Sequence, residues 1–481
     1  MTTELWKLTA RQARDLLRRR EVSPLDLIDA AEARITAVDA DINAIPTRCF
    51  DRARARARAI IADPRSHDAA YLYGLPIVVK DLTAVQGVRW TDGSRVHADR
   101  VAQRSDVVVE KLEENGAIVI GKTNTPELGA GGNTVNDLFG ATRNPWDLTR
   151  TTGGSSGGST AAVAAGEAWL ATGTDMAGSI RYPSACCSVV GLRPSPGRVA
   201  HGPRTLCFSA LNVDGPIARN VADAALMLDA MVGEHPLDPL SLPRPPESYL
   251  ELVSRLEERR MPLRVAWSPD LGVAPLDPEV RDICTQAVQQ FERRGARVVE
   301  KCPDLRDANT AFYVLRNMQR VGGAGDLLRQ HRDKLSPEII HYTERGLSQS
   351  AQQIGQAENV RGAIFHRMVA FFAEVDLLAT PTVVAPPYDV RQRHLMEVAG
   401  TKFNDYFEYL MLTSIITLTT CPAISVPCGF TRSGLPVGLQ LIAAPRNDAG
   451  VLVAAALFEA QHDFAARLPI DPRPLVRSPA K

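Results

Sequence analysis

The chain opens on two stretches whose apolar positions recur at helical spacing. The second begins at Ser23-Pro24, a serine cap with proline at the first helical position, and carries Leu25, Leu27, Ile28, Ala31 and Ile35 near a 3.6-residue period. The pattern then changes to short apolar runs. LPIVVKDL at 75–82 and AIVIGKT at 117–123 are rich in β-branched residues and read as buried strands. WLATGTDMAGSIRYP at 169–183 starts as a strand and gives way to a Gly/Ser turn. AISVPCGF at 423–430 and VGLQLIAA at 437–444 form a late strand and its expected hairpin neighbour. Between about 230 and 370 a proline-rich lead-in is followed by Arg- and Gln-rich helical patterning, read as a variable, helix-rich region on the same body. Strands alternating with helices predict an α/β fold around a large mixed, twisted sheet with helices on both faces. No internal repeat or long low-complexity segment interrupts it, so 1–481 is expected to be one domain.

Composition changes this picture little. Lys+Arg and Asp+Glu are 55 each, so the balanced charge gives no reason to expect nucleic-acid or membrane partners. No run of 18 apolar residues occurs, and MTTELWKLTARQARDLLRRR has no signal-peptide core. The eight cysteines are scattered without a Cys-x-x-Cys pair and read as reduced, mostly buried thiols. Together these features predict a soluble cytoplasmic protein.

Two glycine-rich signals need separating. GAIVIGKT at 116–123 fits the P-loop pattern, but its four middle residues belong in a buried strand and Pro126 disfavours helix at Thr125. A core strand with Lys122 at its end is the better reading. GGSSGGS at 153–159 is followed at once by TAAVAAG, a helix former. Glycine allows close backbone approach, and the helix start offers unpaired N–H groups. Ser159 and Thr160 read as helix caps, and Ser156 as loop support. Further on, Ser179 follows a tight Ala177-Gly178 turn, a setting that suits a nucleophile beside free backbone amides. Its base is either a histidine, of which His201 is nearest, or a lysine desolvated at a strand end, such as Lys80. Asp175 and Arg181 flank the turn and read as a structural pair. Phe312, Tyr313, Tyr406 and Phe407 are candidate pocket walls.

GLPIVVKD around Lys80, GGSSGG at 153–158, TDMAGSIRYP at 174–183, VVGLRPSPGRV at 189–199, GPIARNVADAALML at 215–228 and CPAISVPCGFTRSGLPVGLQLI at 421–442 resemble the amidase signature family. The resemblance covers about 5–228 and 375–460. It implies the amidase signature fold and a Ser–cis-Ser–Lys triad, with Ser179 as acyl-enzyme nucleophile, Ser155 on a cis peptide as proton relay and Lys80 as base. It also implies an oxyanion hole from the backbone N–H groups of Met176, Ala177 and Gly178, and no cofactor. The implied activity is hydrolysis of a small-molecule amide, with a homodimer compatible. The alternative within the family is the glutamine-hydrolysing subunit of a tRNA-dependent amidotransferase. The chain departs from the family pattern at Met176, and at Ala177 and Ser188, where glycine is common.

Overall fold

The computed structural model describes residues 4–62, 70–203, 206–255, 263–405 and 407–473. Eleven strands form one mixed sheet. In chain order they are β1 (Thr47–Arg48), β2 (Pro76–Lys80), β3 (Ile118–Thr123), β4 (Leu170–Asp175), β5 (Val190–Arg193), β6 (Val213–Ala218), β7 (Arg264–Trp267), β8 (Arg297–Glu300), β9 (Leu377–Pro381), β10 (Ala423–Phe430) and β11 (Pro436–Ile442). Their spatial order is β1-β3-β2-β4-β6-β5-β10-β11-β9-β7-β8. β2 runs parallel to both β3 and β4. β10 and β11 are antiparallel neighbours, as the late hairpin pattern predicts.

The central strands β2, β3, β4 and β6 are buried along their whole length. That is why β2 and β3 read as apolar runs rather than alternating ones: helices cover both faces of the sheet. The opening helices are Ala10–Arg19 and Pro24–Ile42, and both carry a capping box, from Thr9 and from Ser23.

One sequence expectation changes. The region 230–370 is not only helical, because β7 and β8 lie within it and close one edge of the sheet as parallel neighbours. Both strands have only four residues, too short for a period to stand out beside the long helices Ala308–His331 and Ala351–Glu374. At residues 116–123 the strand expected from the sequence is present. Ile118–Thr123 is a strand, and Lys122 Nζ is buried 2.8 Å from Asp81 Oδ1. The lysine is a structural ion pair, in keeping with the strand reading.

One buried acid sets a pH dependence. Glu167 follows the helix Gly157–Ala165 and is fully buried. Burial, reinforced by Asp39 and opposed by Arg34 and Arg48, pushes its carboxyl well above the ordinary range. The unfolded chain ionises this group near its ordinary value while the folded chain keeps it protonated. Stability is therefore full below about pH 4.5 and is lost as pH rises toward the folded value. Glu167→Gln keeps the shape and removes the titration. Its Tm is expected to exceed that of the unsubstituted protein by a few degrees at pH 8 and by less at pH 5, read by calorimetry; equal offsets at both pH values would remove Glu167 as the source.

Candidate active site

Parallel pairing of β2 with β4 brings their C-terminal ends to one edge, where the open side of an α/β sheet accepts ligands. Lys80 is the last residue of β2 and Asp175 the last of β4. The helix Gly157–Ala165 packs on these strands and starts at the same edge, delivering the Gly/Ser loop there. Gly158 explains one glycine of the loop: a Cβ there would collide with the Asn124 amide nitrogen. The first turn thus lies against the backbone that follows β3.

The expectation of unpaired N–H groups at this helix start is not met. Ser156 N–H donates to the Ser179 carbonyl at 3.1 Å, and Gly158 N–H to the Asn124 carbonyl at 3.3 Å. Gly157 N–H donates to Thr134 Oγ1 at 3.1 Å. These bonds fasten the loop to its neighbours instead of offering an anion cradle. Ser159 and Thr160 are also not caps. Both lie inside the helix, where Ser159 Oγ donates to the Thr172 carbonyl at 2.8 Å and Thr160 Oγ1 to the Gly157 carbonyl at 3.0 Å.

Lys80 is fully buried, and its Nζ meets three hydroxyls: Ser155 at 2.7 Å, Ser156 at 2.9 Å and Thr174 at 2.9 Å. Burial lowers its pKa to about 7, against a partial opposing pull from Asp175 and Asp214. A lysine at that value shares its population between amine and ammonium near neutrality, which is the condition for a base. Ser155 follows a cis Gly154–Ser155 peptide bond. Ser155 and half-buried Ser179 line one cavity of about 90 Å³. His201 lies elsewhere. It lines an adjoining vestibule of about 360 Å³, with Nδ1 3.7 Å from Asp214 Oδ2.

The loop 176–178 between β4 and Ser179 is held from both sides. Thr417 Oγ1 donates to the Met176 carbonyl at 2.5 Å, and Thr413 Oγ1 to the Ala177 carbonyl at 2.8 Å. Ser414 Oγ reaches the same Ala177 oxygen at 3.3 Å. From the other side, Asp175 Oδ1 accepts the Gly178 N–H at 3.0 Å. The oxyanion set expected from the family resemblance is Met176, Ala177 and Gly178. Gly178 N–H is committed to Asp175, whereas the N–H groups of Met176 and Ala177 have no acceptor among the described residues. Gly178 has φ +98°, and a Cβ there would collide with Thr413 Oγ1, so the close clamp requires glycine.

Asp175 is buried with Arg181 Nη2 at 2.8 Å and Arg193 Nη1 at 3.3 Å. Burial works against its ionisation, but the two guanidiniums outweigh it and hold the carboxyl well below the ordinary range. The Asp175–Arg181 pair is structural, as expected from the sequence. Ser188, where the resemblance leads one to expect glycine, ends the helix Arg181–Cys187 at φ +57°, a left-handed position that glycine adopts without strain.

Of the proposed aromatic walls, Phe407 lines the inner cavity and Phe312 is core. Tyr313 is partly buried against that core, and Tyr406 lies outside the described residues. Sequence reasoning missed Ser156 and Thr174 as lysine partners, and Thr413, Ser414 and Thr417 as carbonyl clamps. For the three clamps the only signal is a density of hydroxyls inside the apolar run MLTSIITLTT at 411–420.

Among the described residues there is no transmembrane-length apolar helix and no group of His, Cys, Asp and Glu able to hold a metal ion.

The family model described as Amidase matches residues 26–452. An acylamidase of Rhodococcus erythropolis is 39% identical over 461 residues, covering 94% of each chain. A Glutamyl-tRNA(Gln) amidotransferase subunit of Moorella thermoacetica is 37% identical, covering 97% of this chain and 99% of its own. Among solved structures, a bacterial aryl acylamidase of the amidase signature family superposes with a TM-score of 0.88 at 28% identity, over 96% of this chain and 99% of that one.

Proposed function

This chain belongs to the amidase signature family, and from that premise we propose that it hydrolyses the carboxamide C–N bond of a small-molecule amide through a Ser179 acyl-enzyme. The observation that carries the assignment is Lys80. It is buried with its pKa lowered to about 7 and lies 2.7 Å from Ser155, whose hydroxyl shares the cavity with Ser179.

The steps follow from these positions. Ser179 Oγ attacks the amide carbonyl. Its proton passes to Ser155 Oγ as the Ser155 proton moves to the neutral Lys80 amine. The developing oxyanion is met by the N–H groups of Met176 and Ala177, and one such donor is worth roughly 10²–10³ in rate. Collapse breaks the C–N bond, and the proton returns from Lys80 through Ser155 to the leaving nitrogen. Water then attacks the acyl-enzyme, giving up its proton along the same path, and the acid departs with Ser179 restored. Ser156 and Thr174 hold the lysine in place; Thr417, on the Met176 carbonyl, holds the peptide whose Ala177 N–H meets the oxyanion, and Thr413 and Ser414 hold the peptide that follows it.

A second reading is the glutamine-hydrolysing component of an amidotransferase, which works in a complex. The near-complete match to the Moorella protein favours it. The acylamidase match is of similar extent and somewhat higher identity, and it favours an amidase acting alone. Ammonia and amine release from aliphatic, aryl, anilide, peptide-amide and glutamine substrates separates the two. Release from a non-glutamine amide is expected. Release from glutamine alone, or from nothing without added partner proteins, would overturn the stand-alone reading.

A further inference from the structure

The inner cavity and its vestibule meet at a wall that carries charge. Arg316 and Arg320 lie one turn apart on the helix Ala308–His331, and both line both spaces. They share this junction with Thr174, Met176 and Asn212. Arg316 is 3% exposed, with its guanidinium carbon 3.6 Å from the Phe407 ring centre and 4.3 Å from that of Tyr342. A guanidinium held over aromatic faces keeps a fixed position while its in-plane N–H groups remain directional. Arg320 is anchored through Nη1 to the Leu128 carbonyl at 3.1 Å. No described residue lining the inner cavity is acidic. On the vestibule lining the acid is Asp106, which accepts the Ala84 N–H at 3.0 Å.

A buried arginine beside a second one makes a costly wall for a neutral apolar substrate and a complementary one for an anion. We infer that the substrate is an amide bearing a carboxylate, which Arg316 and Arg320 bind at the junction while Ser179 attacks the amide. The inference rests on the amidase reading above and adds the chemical class of its substrate. The arginines here are specificity-determining groups and transfer no proton.

The test uses the full chain and three small amides. Succinamate carries the carboxylate on the acyl side, N-acetylglycine carries it on the amine side, and butyramide is neutral. At least one anionic amide is expected to exceed butyramide in kcat/KM by about tenfold or more, the size of a charge-assisted contact. Which one does so tells on which side of the scissile bond the anion lies. In Arg320→Gln that ratio is expected to fall by about tenfold, mainly through KM, since binding rather than chemistry is lost. Arg320→Gln is used because Arg316 is stacked in the core and its replacement can unfold the chain. Succinate or acetate, followed by thermal shift, is the second readout: one of them should stabilise the unsubstituted protein more than Arg320→Gln.

Butyramide turned over as fast as both anionic amides, or a selectivity unchanged in Arg320→Gln, would overturn the carboxylate assignment and leave the amidase reading standing. If none of the three amides is turned over, the thermal shift decides alone. Stabilisation that depends on Arg320 keeps the carboxylate site, and its absence removes it.

Discussion

Ser179→Ala is expected to lower kcat/KM on any accepted amide by roughly 10⁴–10⁶, the scale on which losing a covalent nucleophile is felt. The loss should fall almost wholly on kcat. Ser179 Oγ lines the cavity and is half-buried, so its removal leaves neither a core void nor a stranded partner. Tm should stay within about a degree or two, as for substitutions outside the named destabilising mechanisms. The backbone at this position does structural work that alanine retains, since its carbonyl accepts the Ser156 N–H. A slow ester substrate should leave an acyl mass on the unsubstituted protein and none on Ser179→Ala. Turnover near the original rate in the variant would remove Ser179 as nucleophile and shift attention to Ser155, the other serine hydroxyl on the cavity wall.

What was legible in the sequence follows from how each feature is encoded. β2 and β3 announce themselves because strands buried on both faces need continuous β-branched runs. The Gly/Ser loop is visible because close approach, as at Gly158 against Asn124, permits little else. Lys80 stands out as a charge at the end of an apolar strand. The features that escaped are made of common residues brought together over long distances. Thr413, Ser414 and Thr417 act on carbonyls more than two hundred positions away, and a threonine in an apolar run carries no mark of that task. Ser156 and Thr174 enter the lysine shell only because the helix start and the end of β4 meet at one edge. The Gly178 N–H was expected in the cavity, yet it turns to Asp175 because Thr413 draws the Ala177 carbonyl the other way. Peptide orientation of this kind depends on tertiary partners and leaves no local pattern.

Lys80→Met is expected to reduce kcat by roughly 10²–10⁴, the usual worth of a positioned base, while raising stability. Methionine keeps the volume of the stem and removes a charge that burial disfavours. The sign of the pH effect follows from the lowered pKa. Folded Lys80 titrates at about 7, against an ordinary value of 10.5. Between these values the unfolded chain holds a proton that the folded chain does not, so stability rises with pH across the window and the full cost of the buried ammonium is present below it. The gain in Tm from Lys80→Met should therefore be largest below pH 7 and shrink toward pH 10. Activity runs in the same direction. In the unsubstituted protein kcat/KM should fall about tenfold per pH unit below pH 7 as the amine is protonated, and the residual rate of Lys80→Met should lose that limb. A variant that kept both its rate and its acid limb would show that another group supplies the base. His201, which lines the adjoining vestibule with Nδ1 3.7 Å from Asp214, would then be the next residue to replace. Loss of rate together with a gain in stability would mark the buried ammonium as a cost that the fold carries for its chemistry.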